Sequence, residues 1–206
     1  MKRKPFNKFR LMKCAIVCTV LFSTATVKAQ TIHFGPKLDL NYSNISGKGI
    51  QKSFTAGYQA GGFLEVKFNE HWSIQPEVLY TWSAYKEGSD FLTYYVNEGS
   101  SGANTNIHLG SLSVPLLAKY SFNKTFSILA GPQYDHLLYD DENLLKYDKQ
   151  AFKDNEISAN IGVQVNLENV GFYARYTKGL TDINGIDDRY SWMTNHIQVG
   201  IAVRIM

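Results

Sequence analysis

Residues Phe54 to Trp82 read FTAGYQAGGFLEVKFNEHWSIQPEVLYTW, and this stretch decides the fold. Its first half places Phe54, Ala56, Tyr58, Ala60, Gly62, Leu64, Val66 and Phe68 at alternate positions. Thr55, Gly57, Gln59, Gly61, Phe63, Glu65 and Lys67 lie between them. After Asn69-Glu70 the alternation resumes. Trp72, Ile74, Pro76, Val78, Tyr80 and Trp82 stand on one face, with Ser73, Gln75, Glu77, Leu79, Thr81 and Ser83 on the other. A period of two is the signature of a strand with two unlike faces. Aromatics near the ends of the apolar face, with aliphatic and small residues between them, match a lipid-facing band flanked by girdles.

Working outward, the same unit recurs. Asn123-Lys124 and Glu168-Asn169 are two further short breaks, each between alternating runs, and longer polar segments separate the pairs. Eight strands follow, at Ile32 to Ser43, Ser53 to Phe68, His71 to Tyr85, Leu109 to Phe122, Thr125 to Leu138, Ile157 to Leu167, Val170 to Thr181 and Asn195 to Met206. Short turns in alternate connections predict an all-β, eight-stranded antiparallel up-and-down transmembrane β-barrel. The short turns are then periplasmic. The long connections Asn44 to Lys52, Lys86 to His108, Tyr139 to Glu156 and Asp182 to Thr194 are extracellular. Gly99-Ser100-Ser101-Gly102 reads as flexible, and Asp140, Asp141, Glu142, Asp154 and Glu156 give the third loop an acidic cast.

The first 29 residues read separately. Lys2, Arg3, Lys4, Lys8, Arg10 and Lys13 form a basic segment, Cys14 to Thr24 an apolar one, and Val27-Lys28-Ala29 a small-x-small cleavage site. The expectation is a signal peptide over 1–29 and an outer membrane β-barrel domain over 30–206. A retained transmembrane helix would need about 20 apolar residues, more than this run offers. Large residues ahead of Cys14 and Cys18 argue against a lipoprotein signal. Seven of the 21 basic residues precede Gln30 and none of the 18 acidic ones does, so the expected mature balance is −4. The basicity therefore belongs to targeting, and no nucleic-acid partner is expected. Both cysteines precede Gln30 as well, which leaves no disulfide in the expected domain.

Alternation assigns a polar cluster to the barrel interior: Lys37, Asp39, Glu65, Lys67, Glu77, Lys119, Asp135, Arg175 and Arg204. Eight strands enclose a space that side chains can just fill. Charges there must be paired or wet, because an isolated buried charge costs several kcal/mol. The expectation is a plugged lumen in which Glu77 pairs with Lys119, Arg175 or both. A narrow ion path along the same charges is the alternative. Inward glycines such as Gly57, Gly61, Gly131, Gly162 and Gly200 would either make room for bulky neighbours or leave a channel. An enzyme would draw on His136 with Asp135, or on His108 with Ser111 and Ser113. That chemistry needs nucleophile, base and orienting group in contact, and spacing alone shows none. His136 also falls on the outward register. No catalytic site, cofactor or metal is expected. A soluble lipocalin-like binder would need the inverse arrangement, apolar within and polar outside.

Several segments resemble one family. Phe34-Gly35-Pro36-Lys37-Leu38-Asp39-Leu40-Asn41, Ala56-Gly57 with Ala60-Gly61, and Ile74-Gln75-Pro76-Glu77-Val78-Leu79-Tyr80 are three of them. Ser113-Val114-Pro115-Leu116-Leu117-Ala118-Lys119-Tyr120, Ala130-Gly131-Pro132 and Gln198-Val199-Gly200-Ile201 complete the set. Together they are similar to the PorT-like outer membrane β-barrel family of the Bacteroidetes, over nearly all of the expected domain. The resemblance implies a Gram-negative outer-membrane location and no assigned biochemical activity. For one branch it implies a link to assembly of a secretion and gliding apparatus. Gln75, Pro76, Glu77, Tyr80, Pro115 and Lys119 carry over as barrel architecture. The expected partners are outer membrane lipids and a periplasmic or extracellular protein, with the barrel itself a monomer.

Overall fold

The computed structural model describes residues 31–86, 88, 91–94, 106–140, 151–186 and 188–205. The expected signal peptide, the Gly99–Gly102 stretch and the acidic pair Asp141 and Glu142 lie outside the described residues. Eight strands close into one antiparallel barrel in chain order, with β8 returning to β1. They are β1 (Thr31–Ser46), β2 (Thr55–Lys67), β3 (Trp72–Lys86), β4 (Asn106–Ser121), β5 (Phe126–Asp140), β6 (Asn155–Leu167), β7 (Val170–Gly179) and β8 (Met193–Val203). A one-turn helix, α1 (Phe91–Tyr94), follows β3. Each strand reaches the length of about 9–11 residues that a tilted bilayer crossing needs.

The wall is lipophilic outside and polar inside. Leu38, Val78, Leu116, Ile161, Val163 and Val199 are each more than half exposed along the middle of the wall. Toward the short-turn end, Phe68, Trp72, Phe122 and Phe126 project outward, and Trp72 meets Tyr120 edge-on at 4.9 Å. Toward the long-loop end, Trp82 stacks between Tyr58 at 5.6 Å and His108 at 4.9 Å. A water-soluble protein has no use for such a surface, whereas a bilayer solvates it.

Strand ends differ from expectation by a few residues, for local reasons. Two short breaks are three-residue loops rather than two. Phe68 N–H donates to Trp72 O at 2.9 Å and Phe122 N–H to Phe126 O at 3.0 Å, leaving 69–71 and 123–125 in the turns. In both, an asparagine shapes the turn. Asn69 Oδ1 accepts the His71 and Trp72 N–H groups at 2.9 and 2.8 Å, and Asn123 Oδ1 those of Thr125 and Phe126, each at 2.8 Å. This is the side-chain mimic of a backbone turn. The third break has two residues, and Glu168 takes a positive φ of 52° there. A bulge between Gly110 and Ser111 shifts the β4–β5 register by one. As a result both Leu138 and Tyr139 point outward.

An apolar cap closes the outer end. Ile45, Ile50, Tyr85, Phe91, Ile107, Leu109, Ala151, Phe152, Ile183 and Trp192 form one buried cluster. Ile45, Tyr85, Ile107 and Leu109 come from the outer ends of strands, and the others are apolar residues within connections that read as polar. Asp182 clamps the cap from its rim: its Oδ1 accepts the backbone N–H of Asn184 at 3.0 Å and of Trp192 at 2.8 Å, and Lys153 Nζ reaches Oδ2 at 3.1 Å. Partial burial works against the Asp182 charge. The two N–H groups and the Lys153 ammonium outweigh it and hold the carboxyl below its ordinary value of 3.8. A depressed carboxyl lends stability that is complete above the unfolded value and is lost as pH falls through the folded one. Acidification below about pH 4 should therefore speed exchange of the Trp192 indole N–H, as read by NMR. Asp182→Asn should lose this pH step. An identical pH profile in the variant would remove Asp182 from the clamp.

Candidate functional site

The lumen holds the chemistry, in tiers set by strand register. Lys37, Asp39, Glu65, Glu77, Lys119 and Arg175 are each no more than 4% exposed, while Lys67, Asp135 and Arg204 are half-buried. In the middle tier Glu77 on β3 is the hub. Its Oε1 accepts Lys37 Nζ and Gln75 Nε2, both at 2.7 Å, and its Oε2 accepts two Arg175 nitrogens at 3.1 Å. Tyr173 joins from β7: its hydroxyl donates to Asp39 Oδ2, and Lys37 Nζ sits 4.0 Å from its ring centroid. Two cations and two carboxylates thus meet through one tyrosine. The charges are paired, which is what a buried cluster needs, although Asp39 Oδ1 and Gln75 Oε1 have no hydrogen-bond partner among the described residues.

Of the two partners considered for Glu77 in the sequence, Lys119 is not one. Register pairs Lys119 with Ser73, four residues closer to the short turns than Glu77. There it meets Glu65 of β2, Nζ to Oε2 at 3.1 Å, with Ser73 Oγ on the other oxygen at 2.9 Å. Arg175 is a partner of Glu77, as expected. Lys37, from a strand further round, completes the hub.

The upper tier is built from hydroxyls and amides. Asp135 accepts Ser113 Oγ and Gln133 Nε2 on Oδ1, and Ser158 Oγ at 3.1 Å on Oδ2. Glu156 was expected in an acidic outer loop. Because β6 begins at Asn155, it turns inward instead, paired in register with Asp135 and accepting Thr194 Oγ1 at 2.6 Å. A cavity of about 50 Å³ lies between these carboxylates and the cap residues Phe152 and Ile183. The inward glycines sit where strands pack closely. A Cβ at Gly57 would fall 2.2 Å from Trp82 O, and one at Gly200 would fall 2.3 Å from Asp39 Cβ. They are points where the next strand closes in.

Neither histidine-based candidate assembles. His136 faces outward, with Nδ1 2.9 Å from Asn155 Oδ1, while Asp135 faces inward. His108 stacks on Trp82 outside, whereas Ser113 serves Asp135 inside and Ser111 lines the small cavity. The structure does join one pair that sequence reasoning missed, Ser43 Oγ and His196 Nδ1 at 2.7 Å. Ser43 also bonds Asn41 Oδ1 at 3.1 Å and is fully buried beneath the cap. The two positions lie 153 apart in the chain, so only barrel closure brings them together. Among the described residues no group of three or more His, Cys, Asp or Glu side chains is arranged to hold a metal.

The model of the outer membrane protein beta-barrel domain matches residues 28–185 of this chain. The chain belongs to that family. Its barrel is similar in structure to neisserial surface protein A, with 14% identity, 82% of this chain and 96% of that one covered, and a TM-score of 0.51. It is also similar to Ail, the attachment invasion locus protein of Yersinia pestis, in complex with sucrose octasulfate. There the identity is 14%, the coverage 84% of this chain and 99% of that one, and the TM-score 0.50. At such identities the likeness is one of fold. No curated protein matches the chain in sequence. Family and fold together place this outer membrane β-barrel protein in the outer membrane, with its wall in lipid.

Proposed function

We propose that this protein is a non-conducting, non-catalytic outer-membrane anchor that displays its capped outer face and docks a protein partner. The observation that carries the reading is the Glu77 hub, which ties β1, β3 and β7 together across the lumen. The apolar cap above it supports the same reading. With the axis filled, function falls to the loops and turns. A closed sheet has no edge strand to offer a second copy, and the anchor acts as a monomer.

We further assign it to the PorT-like branch of the Bacteroidetes, with a role in assembling a secretion or gliding apparatus. The motif residues support that assignment. Gln75, Glu77 and Lys119 are all lumen residues, and each takes part in a plug contact. The motif thus describes how the barrel is filled.

The test of the closed lumen is electrical. The purified barrel, reconstituted in a planar bilayer, should give no discrete conductance steps in monovalent salt. Stable unitary steps from folded protein would overturn the anchor reading in favour of a narrow pore.

A further inference from the structure

Like charges crowd the short-turn mouth of the lumen. Lys67, at the end of β2, and Arg204, just past β8, face inward and are half-buried. Lys119 lies deeper and is subject to the positive charge of both. Only Lys119 has a carboxylate partner, Glu65, whose second oxygen is already taken by Ser73. Among the described residues, neither Lys67 nor Arg204 has an ion-pair partner. Arg204 makes a single long hydrogen bond, to Asn166 Oδ1 at 3.4 Å, and its Nε is buried without an acceptor.

This contrasts with the middle tier, where Lys37 and Arg175 share one carboxylate. A buried donor without a partner costs free energy, and two neighbouring cations repel. An anion in the mouth would offset that repulsion. Space for one exists: a recess of about 470 Å³ opens between the turns and ends at the Lys119–Glu65 pair. That is the size range of small-ligand sites. Lys124, Glu70 and Glu168 also line it, but they stand exposed on the turns, where solvent and salt screen them. The mouth as a whole is nearly balanced, while its inner wall is cationic.

The geometry points to an oxyanion site at the periplasmic end of the barrel, taking a compact carboxylate or phosphate group. Arg204 offers a planar fork to two oxygens and Lys67 a point charge. Asn166 lines the same recess; its Oδ1 is held by Gln164 Nε2 at 2.7 Å, while its Nδ2 makes only contacts of 3.4 Å to Thr125 O and Ser127 Oγ. The site faces the periplasm and does not depend on the anchor role.

Calorimetric titration of the full, folded barrel in detergent micelles at low ionic strength tests it. The probes are inorganic phosphate, N-acetylalanine and, as the uncharged control, N-acetylalanine amide. At least one anion should bind saturably, more weakly as salt rises, and the amide should not bind. Phosphate alone would identify a free phosphate as the ligand class, and N-acetylalanine alone the carboxylate end of a chain. Arg204→Gln and Lys67→Gln should each weaken binding at least tenfold, while Lys48→Gln in the outer loops leaves it unchanged. Gel mobility before and after boiling checks that each variant is folded. Should Arg204→Gln fail to fold, Lys67→Gln at the strand end decides. Absence of saturable binding by either anion, or equal affinity in the folded variants, would overturn the site.

Discussion

Glu77→Ala lowers the unfolding midpoint of the barrel far more than a lipid-facing truncation such as Val78→Ala. Glu77 neutralises Lys37 and Arg175 at once, at 2.7 and 3.1 Å, in a place with almost no solvent. Its removal leaves two buried cations with only Asp39, itself held by the Tyr173 hydroxyl, as a nearby counter-charge. Breaking a buried pair costs roughly 3–5 kcal/mol, and here one carboxylate serves two partners. Val78 is 57% exposed on the wall, and its truncation gives up less than about 2 kcal/mol of apolar contact. Urea unfolding in lipid vesicles, followed by tryptophan fluorescence, should separate the two variants. Pairing also predicts non-additivity. Glu77→Ala combined with Lys37→Ala should cost clearly less than the sum of the singles, whereas Glu77→Ala with Lys119→Ala should be close to additive. Additivity in the Lys37 cycle would remove the hub.

Trp192→Ala should have the next largest effect, and a local one. The indole is fully buried, donates from Nε1 to Lys48 O at 3.0 Å and lies 5.5 Å from the Phe152 ring. It therefore joins the connection before β8 to the one after β1 and to the segment before β6. Gly47 permits this approach, since a Cβ there would stand 2.2 Å from the indole Cδ1. Deleting a buried tryptophan costs about 3–5 kcal/mol. The cost falls on the cap, because the barrel wall keeps its backbone ladder. Far-UV circular dichroism should stay barrel-like while protease added outside cleaves the outer connections much faster. Unchanged cleavage rates would mean that the cap does not depend on this residue.

The alternation in 157–167 shows how much was legible without coordinates. Ile157, Ile161 and Val163 face out and Ser158, Asn160 and Gln164 face in, as a period of two requires. That property belongs to each strand alone, since neighbouring side chains point to opposite faces whatever the strand pairs with. Strand number, the lipid-facing band and the inward side of the charged residues follow from it.

Partners do not follow. Glu77 meets Arg175 across 98 positions of sequence and Ser43 meets His196 across 153. Such distances depend on the stagger accumulated from strand to strand and on closure of β8 against β1. A one-residue shift at Gly110/Ser111 is invisible in the pattern yet resets the β4–β5 pairs at Gly110 and Leu109. The cap was hidden for a related reason. Ile50, Phe91, Phe152 and Trp192 are single apolar residues in separate connections, without the periodicity that marks a strand. The chain alone determined which face each wall residue takes, because that is local geometry. Only the closed barrel decided which charges pair and which two, Lys67 and Arg204, remain at the mouth without an ion-pair partner among the described residues, because pairing is set by the sum of all eight registers.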